Sequence, residues 1–419
     1  MRKILVCLAL LSCSLAMVSI IDTSGVPTTI PSAMKTEVAR AAGSPLGDYQ
    51  RVVLVSWDGV QRDILYDLFE VPDPSQPCWK SGTVFPVDTG RLNGQGAPIY
   101  TCMPALAGLK PADAPAESPA YGPYQMIASH TTNDGQTLTK NQHASMLSGY
   151  NATDHGILDN VSTVRMPIGA TIYERLMDAY DPVGPDGRRN GFIFRTSHAA
   201  SKKYIGSSIH YWARRSRALQ IVTGHGYEDV GAIGPLKYVL KGLDRWRTET
   251  DTLGLEEPGF LIFMQFKHPD INGHLNGEDS RQYREAIVQT DARLYLLMEM
   301  LRNHGWDDAA IFVTTDHGFH DIHHLRNGGR DSFNAWIAAW NVHLTTDDVP
   351  LRTAADYCAS HQDEADCLAN GPDEPMPDRD IVPNVYVTFV VPTILDMCGV
   401  EWRSDPLQKG QSLYRPAGP

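Results

Sequence analysis

Three apolar, β-branched runs each end in side chains that bind cations or carry protons. Arg51-Val-Val-Leu-Val-Ser-Trp57 runs into Asp58-Gly59. Gly259-Phe-Leu-Ile-Phe-Met-Gln-Phe266 runs into His268-Pro-Asp270-Ile-Asn-Gly-His274, and Ala309-Ala-Ile-Phe-Val-Thr-Thr315 into Asp316-His317-Gly318. Runs without polar alternation predict strands buried on both faces. A carboxylate just past the C-terminal end of such a strand lies where open α/β sheets put their sites. Gly191-Phe-Ile-Phe194 predicts a further strand. Between the strands, Thr171 to Tyr180 carries Ile172, Leu176 and Met177 at helical spacing. Tyr283 to Arg302 sets Ile287, Leu294, Leu297, Met298 and Leu301 near one face, with Gly305 as the stop. Val391 to Gly399 predicts an apolar closing helix. Strands alternating with helices give an α/β layered fold.

The 419 residues can bury a large core, and the net charge of -13 argues against nucleic acid, whose binding needs clustered Lys and Arg. Met1-Arg2-Lys3 followed by the apolar Ile4 to Ile21 reads as a signal over 1–21. Export to the periplasm, the extracellular space or a membrane surface follows. Leu10-Leu-Ser-Cys13 resembles a bacterial lipoprotein processing site, which would leave Cys13 lipidated. A retained anchor is the other reading, because Ile4 to Ile21 is just long enough to span a bilayer. Residues 22–47 read as a flexible spacer and 48–419 as one folded domain. Within that domain, a Gly, Pro, Ala and Ser-rich stretch at about 72–129 predicts an inserted cap. In an exported chain, Cys78 with Cys102 and Cys358 with Cys367 read as disulfides, and Cys398 as a buried thiol. His198 to Arg217 mixes Lys and Arg with Tyr204, Tyr211 and Trp212, and reads as a solvated helix face rather than a wall of a substrate site.

A hydroxyl residue, Thr139, stands where a polar loop enters a short helical segment stopped by Gly149. Unpaired N–H groups and the helix dipole favour an anion there. Alone, such a threonine is a helix cap, Asp58-Gly59 a turn, and a single His a satisfied loop residue. The set weighs differently. Carboxylates and imidazoles together suit zinc and similar divalent ions. Asp270 and His274 lie close enough in one loop to clasp one ion, and the side chains of Asp316 and His317 diverge, which suits a split site.

With these residues assembled, the chain resembles the alkaline phosphatase superfamily, and within it the nucleotide pyrophosphatase/phosphodiesterase branch with its sulfatase-like relatives. The resemblance is carried by Ser56-Trp57-Asp58-Gly59, Thr139 through Ser148-Gly149, His155-Gly156-Ile157, Asp270-Ile-Asn-Gly-His274 and Thr315-Asp316-His317-Gly318. Val391 to Gly399 and Gly410-Gln-Ser-Leu413 add the family's closing helix and final turn. The resemblance implies a mixed, mostly parallel central sheet sandwiched between helices. It implies two divalent ions, zinc in the family: Asp270, His274 and a late histidine for one, Asp58, Asp316 and His317 for the other. His324 is taken as the late histidine, with His320 and His323 as neighbours. Thr139 matches a nucleophile that also touches metal, and Asn160 the amide that holds a phosphate oxygen. Lys140, directly after Thr139, is a further candidate for stabilising charge. Where the diesterase branch often has Phe-Pro-Asn after its threonine, this chain has Lys140-Asn-Gln. The implied activity is hydrolysis of a small-molecule phosphoester, a diester or nucleotide pyrophosphate, through a covalent phosphothreonine. A phosphomonoesterase, a phosphonate hydrolase and a head-group transferase share the motifs. A sulfatase is disfavoured because position 139 is Thr with no Pro or Arg after it. A cell-surface binding protein predicts missing ligands.

Overall fold

The computed structural model describes residues 50–416 apart from 72, 79–83, 94, 110–123, 132–136, 161–163, 165, 168, 181–193, 201–218, 224–229, 253–258, 320–321, 323–332 and 352–382. The expected signal, the spacer, the Cys358–Cys367 pair and His320, His323 and His324 therefore lie outside the described residues.

The apolar runs form the middle of a seven-stranded sheet ordered β4-β9-β8-β1-β7-β5-β6. Its strands are β1 (Arg51–Trp57), β4 (Tyr124–His130), β5 (Phe194–Ala200), β6 (Leu219–Thr223), β7 (Gly259–Phe266), β8 (Ala310–Thr314) and β9 (Asn334–Trp340). A separate hairpin pairs β2 (Val87–Leu92) with β3 (Pro98–Thr101). From β8 through β6 every pairing is parallel. Only β9 reverses, lying antiparallel to both β8 and β4. The sheet is thus mixed and mostly parallel.

Alternate β1 side chains enter the two faces of the core. Val53, Val55 and Trp57 pack with the helices Arg62–Phe69, Val230–Thr252 and Arg281–Asn303. Val52 and Leu54 pack with Thr139–Ser148, Ile172–Tyr180 and Val390–Met397. Burial on both faces is why these strands lack polar alternation. Register then positions the site: Trp57 pairs with Phe266 and Ser56 with Thr314, so the ends of β1, β7 and β8 stand level. Asp58, Lys267 and Thr315 emerge side by side at the C-terminal ends of three neighbouring central strands.

Several expectations shift. Tyr124–His130, placed by sequence in the inserted cap, contributes edge strand β4 to the main sheet. Of the strand expected at 191–194, residues 191–193 lie outside the described residues and Phe194 belongs to a strand that continues to Ala200, so the helical reading of 198–217 fails for its first three residues. The remainder of that segment, 201–217, lies outside the described residues. Cys78 and Cys102 are bonded, and Cys398 is a buried free thiol whose pKa burial pushes up to about 12. Among the described residues no helix is long and apolar enough to cross a membrane.

Candidate active site

Thr139 opens the Thr139–Ser148 helix, and the residue before it, Leu138, makes no side-chain cap. The Thr139 hydroxyl does not turn back on the helix as a capping hydroxyl does. It lies 3.4 Å from Asp58 Oδ1 and 3.3 Å from His317 Nε2. Gly149, in the left-handed region at φ 73°, ends the helix as expected. Asp58, Asp316 and His317 are fully buried, with one ligating atom of each within 4.8 Å of the others.

The surroundings leave one face of each group open toward this centre. The backbone N–H groups of Gly59 and His317 donate to Asp316 Oδ1 at 3.0 Å each. Asp316 Oδ2 has no hydrogen-bond donor among the described residues, although it lies 3.3 Å from His317 Nε2 and 3.2 Å from His143 Nδ1. His317 Nδ1 faces the Gly318 carbonyl at 3.0 Å, so that nitrogen carries the proton and Nε2 presents its lone pair inward. Asp58 Oδ1 faces Thr139, while Gln265 Nε2, at 2.5 Å, and Lys267 Nζ, at 3.5 Å, hold Oδ2.

Asp270 and His274 lie on a nine-residue helix, His268–Asn276, not in the loop that their spacing suggested. Pro269 sits at the helix start, where its missing N–H costs nothing. Four residues apart, the two side chains share one face, with His274 Nε2 3.4 Å from Asp270 Oδ1. His274 Nδ1 faces the Ile322 carbonyl at 3.1 Å, repeating the arrangement of His317. A histidine whose Nδ1–H is held by a carbonyl is oriented to ligate through Nε2.

Electrostatics follow from burial and crowding. Burial, joined by Asp270 and Asp316, holds the Asp58 carboxyl well above the usual carboxylate range, against the pull of Lys267. Burial acts on Asp316 in the same sense, but His317, His143 and the Gly59 N–H outweigh it and hold its pKa low. Burial lowers His317, against Asp316 and Asp270, and so favours the neutral ring that a ligand must be. Lys267 is raised: burial opposes its charge, but Asp58 and Asp270 prevail.

Lys140 is buried, and burial lowers its ammonium against the pull of Asp159. Its backbone N–H donates to Asn160 Oδ1 at 2.9 Å, so that helix N–H, expected to face an anion, is already engaged. Asn160 is thereby tied to the residue after Thr139. His324, expected as the last ligand, is outside the described residues.

The sequence reading passed over three contacting residues. His143, one helical turn after Thr139, has Nδ1 2.6 Å from the Thr139 carbonyl and Nε2 2.7 Å from Ser56 Oγ. Gln265 and Lys267 end β7 beside Asp58. Only the i to i+4 step from Thr139 to His143 was available as a signal.

The donor chemistry fits divalent ions. Buried carboxylates crowded against inward-facing imidazole lone pairs repel one another without a cation, and Asp316 Oδ2 lacks a donor among the described residues. Asp58, Asp316 and His317 lie close enough together that they could hold one metal ion, and Asp270 and His274 form a second carboxylate–imidazole pair.

A model of the family described as type I phosphodiesterase / nucleotide pyrophosphatase matches residues 127–374. Human ectonucleotide pyrophosphatase/phosphodiesterase family member 7 is 29% identical over 303 residues, 68% of this chain and 52% of its own length. The mouse protein of that name is 28% identical over 193 residues, 43% of this chain and 40% of its own. The chain thus spans about half the length, or less, of these curated relatives. Among solved structures, the C-terminal periplasmic domain of EcEptC from Escherichia coli is similar at 12% identity, with 88% of this chain and 87% of that one covered and a TM-score of 0.46. Murine ectonucleotide pyrophosphatase/phosphodiesterase 5 is similar at 19% identity, covering 64% and 57%, with a TM-score of 0.33.

Proposed function

This chain belongs to the type I phosphodiesterase / nucleotide pyrophosphatase family, and we propose that it is an exported hydrolase of small-molecule phosphodiesters working through a covalent phosphothreonine on Thr139. The observation that carries the reading is the Thr139 hydroxyl at a helix start, within 3.4 Å of both Asp58 and His317. Asp58, Asp316 and His317 would hold one divalent ion, touching Thr139. Asp270 and His274, with a late histidine for which His324 is the candidate, would hold a second. Zinc suits this mixture of carboxylate and imidazole. When bound, such ions make a threonine alkoxide accessible at neutral pH and offset charge on the leaving oxygen.

The remaining work falls to the chain itself. Thr139 Oγ1 attacks phosphorus and the ester oxygen leaves, giving phosphothreonine; water then attacks the same phosphorus and returns the hydroxyl. The His143 ring holds the Thr139 carbonyl and so anchors the first turn that aims the hydroxyl. Asn160 is fixed beside the nucleophile through Lys140 N–H, and its NH2 group is the donor we assign to a non-bridging phosphate oxygen. Export rests on the apolar 4–21 segment, with Cys13 as a candidate lipid anchor.

The test compares bis-nitrophenyl phosphate with nitrophenyl phosphate on zinc-loaded protein, beside Thr139→Ala. The diester should be well ahead, and Thr139→Ala should lose turnover while keeping its unfolding midpoint. Surviving activity in that variant overturns the covalent mechanism. A faster monoester makes this a phosphatase and removes the role given to Asn160.

A further inference from the structure

The chemistry above gives the ammonium of Lys267 no task. Lys267 follows β7 directly, and its Nζ lies 3.2 Å from Asp270 Oδ2 and 3.5 Å from Asp58 Oδ2. Its side chain is 13% exposed, and the two carboxylates are buried. Asp58 and Asp270 belong to different ligand sets, so the ammonium stands between the two halves of the site. From these contacts we propose that Lys267 is an internal cation that competes with divalent ions for the Asp58 and Asp270 carboxylates and thereby sets how tightly the site holds metal. The inference rests on the reading of those carboxylates as ligands.

Two physical effects of Lys267 oppose each other, and the distances decide between them. A donor that orients a ligand raises metal affinity, and losing one typically costs about 10–100-fold. A fixed positive charge sharing the carboxylates with a divalent ion lowers affinity, and in a buried site this repulsion is weakly screened. The Lys267 contacts, at 3.2 and 3.5 Å, are long for charge-assisted hydrogen bonds. Gln265 already holds Asp58 Oδ2 at 2.5 Å, and this hold does not depend on Lys267. Orientation of Asp58 therefore survives loss of the lysine, Asp270 is held in place by its position on the His268–Asn276 helix, and the charge effect dominates.

In the metal-free protein the sign reverses. There, Lys267 offsets the crowded charges of Asp58, Asp270 and Asp316. Its neutral replacement leaves buried carboxylates with less compensation. A purely structural lysine would shift stability alike with and without metal. A competing one shifts the two states in opposite directions relative to each other.

The experiment uses the full chain as wild type, Lys267→Met and Lys267→Arg, stripped of metal. Zinc affinity is read by competition with a chromogenic chelator, and the unfolding midpoint is read with and without zinc. For Lys267→Met we expect zinc affinity about tenfold or more above wild type, a lower metal-free midpoint and a larger gain on adding zinc. Lys267→Arg should stay near wild type. If Lys267→Met does not fold without metal, Lys267→Gln, which keeps donors but no charge, replaces it. Affinity equal to or weaker than wild type in the neutral variant overturns the proposal. If neither protein binds zinc, the ligand reading itself has failed, which is a different result from both binding alike.

Discussion

At the residue scale, the site is assembled by side chains that each satisfy one neighbour and leave one atom facing inward. His317 and His274 do this through their Nδ1 contacts, Asp58 through Gln265 and Asp316 through two backbone N–H groups. Close approach of backbone makes this density attainable. Gly59 has φ +70°, and a Cβ there would meet Phe319 Cε2 at 2.6 Å and Asp270 Cα at 3.0 Å. Gly273 would meet the same ring at 2.7 Å. The Phe319 ring also packs edge-on against both His274 and His317. Gly59→Ala should therefore cost about 2–4 kcal/mol, combining left-handed strain with overpacking. Because the strain falls between Asp58 and Asp270, zinc affinity should fall with it. Denaturant unfolding and zinc titration check both, and a variant as stable as wild type sinks the argument.

At the element scale, the long Arg281–Asn303 helix packs on the sheet and also holds a loop. Its Asp291 carboxylate is buried and accepts from the backbone N–H groups of Ala105 and Leu106 at 2.9 and 2.7 Å. Burial raises this carboxyl to about 7, although both N–H groups pull it down. The sign follows from linkage: the folded protein keeps this proton to about pH 7, and the unfolded chain loses it near its ordinary value. Between those limits the folded state binds more protons, so this contribution is present at low pH and is lost as pH rises toward 7. Asp291→Asn removes the titration but leaves an acceptor for one N–H. The stability difference between wild type and Asp291→Asn should shift against wild type by a few kcal/mol, to order of magnitude, from pH 4 to 7. A difference that stays flat across that range would show that the two N–H bonds hold the carboxylate ionised throughout.

At the scale of the whole molecule, buried charge at the C-terminal ends of the central strands ties stability to what binds there. Asp58 and Asp316 are fully buried and Asp270 nearly so. A ligand that binds only the folded protein stabilises it by about 2.7 kcal/mol when present at a hundred times its dissociation constant. Chelation should therefore lower the thermal midpoint, and zinc should restore it while a salt of equal ionic strength does not. An unchanged midpoint in a chelator would mean that the carboxylates are compensated by protein groups alone.

The sequence by itself determined that the runs of β1, β7 and β8 become buried strands, because an unbroken apolar run is a local property. It also singled out Asp58, Asp270, His274, Asp316 and His317, which stand just past such runs, and Thr139 at a helix start. It missed β9, Asn334-Ala-Trp-Ile-Ala-Ala-Trp340, because its alanines carry little strand preference. Without β9, Tyr124–His130 reads as part of the cap, since its partner in the sheet lies some two hundred residues away. Only the tertiary structure decided that β1, β7 and β8 end level, which brings Asp58, Lys267 and Thr315 together. It alone set Lys267 between the Asp58 and Asp270 carboxylates, Gln265 behind Asp58, and His143 against Ser56. Those assignments depend on strand register and side-chain direction across more than eighty residues of chain, and no local pattern encodes them.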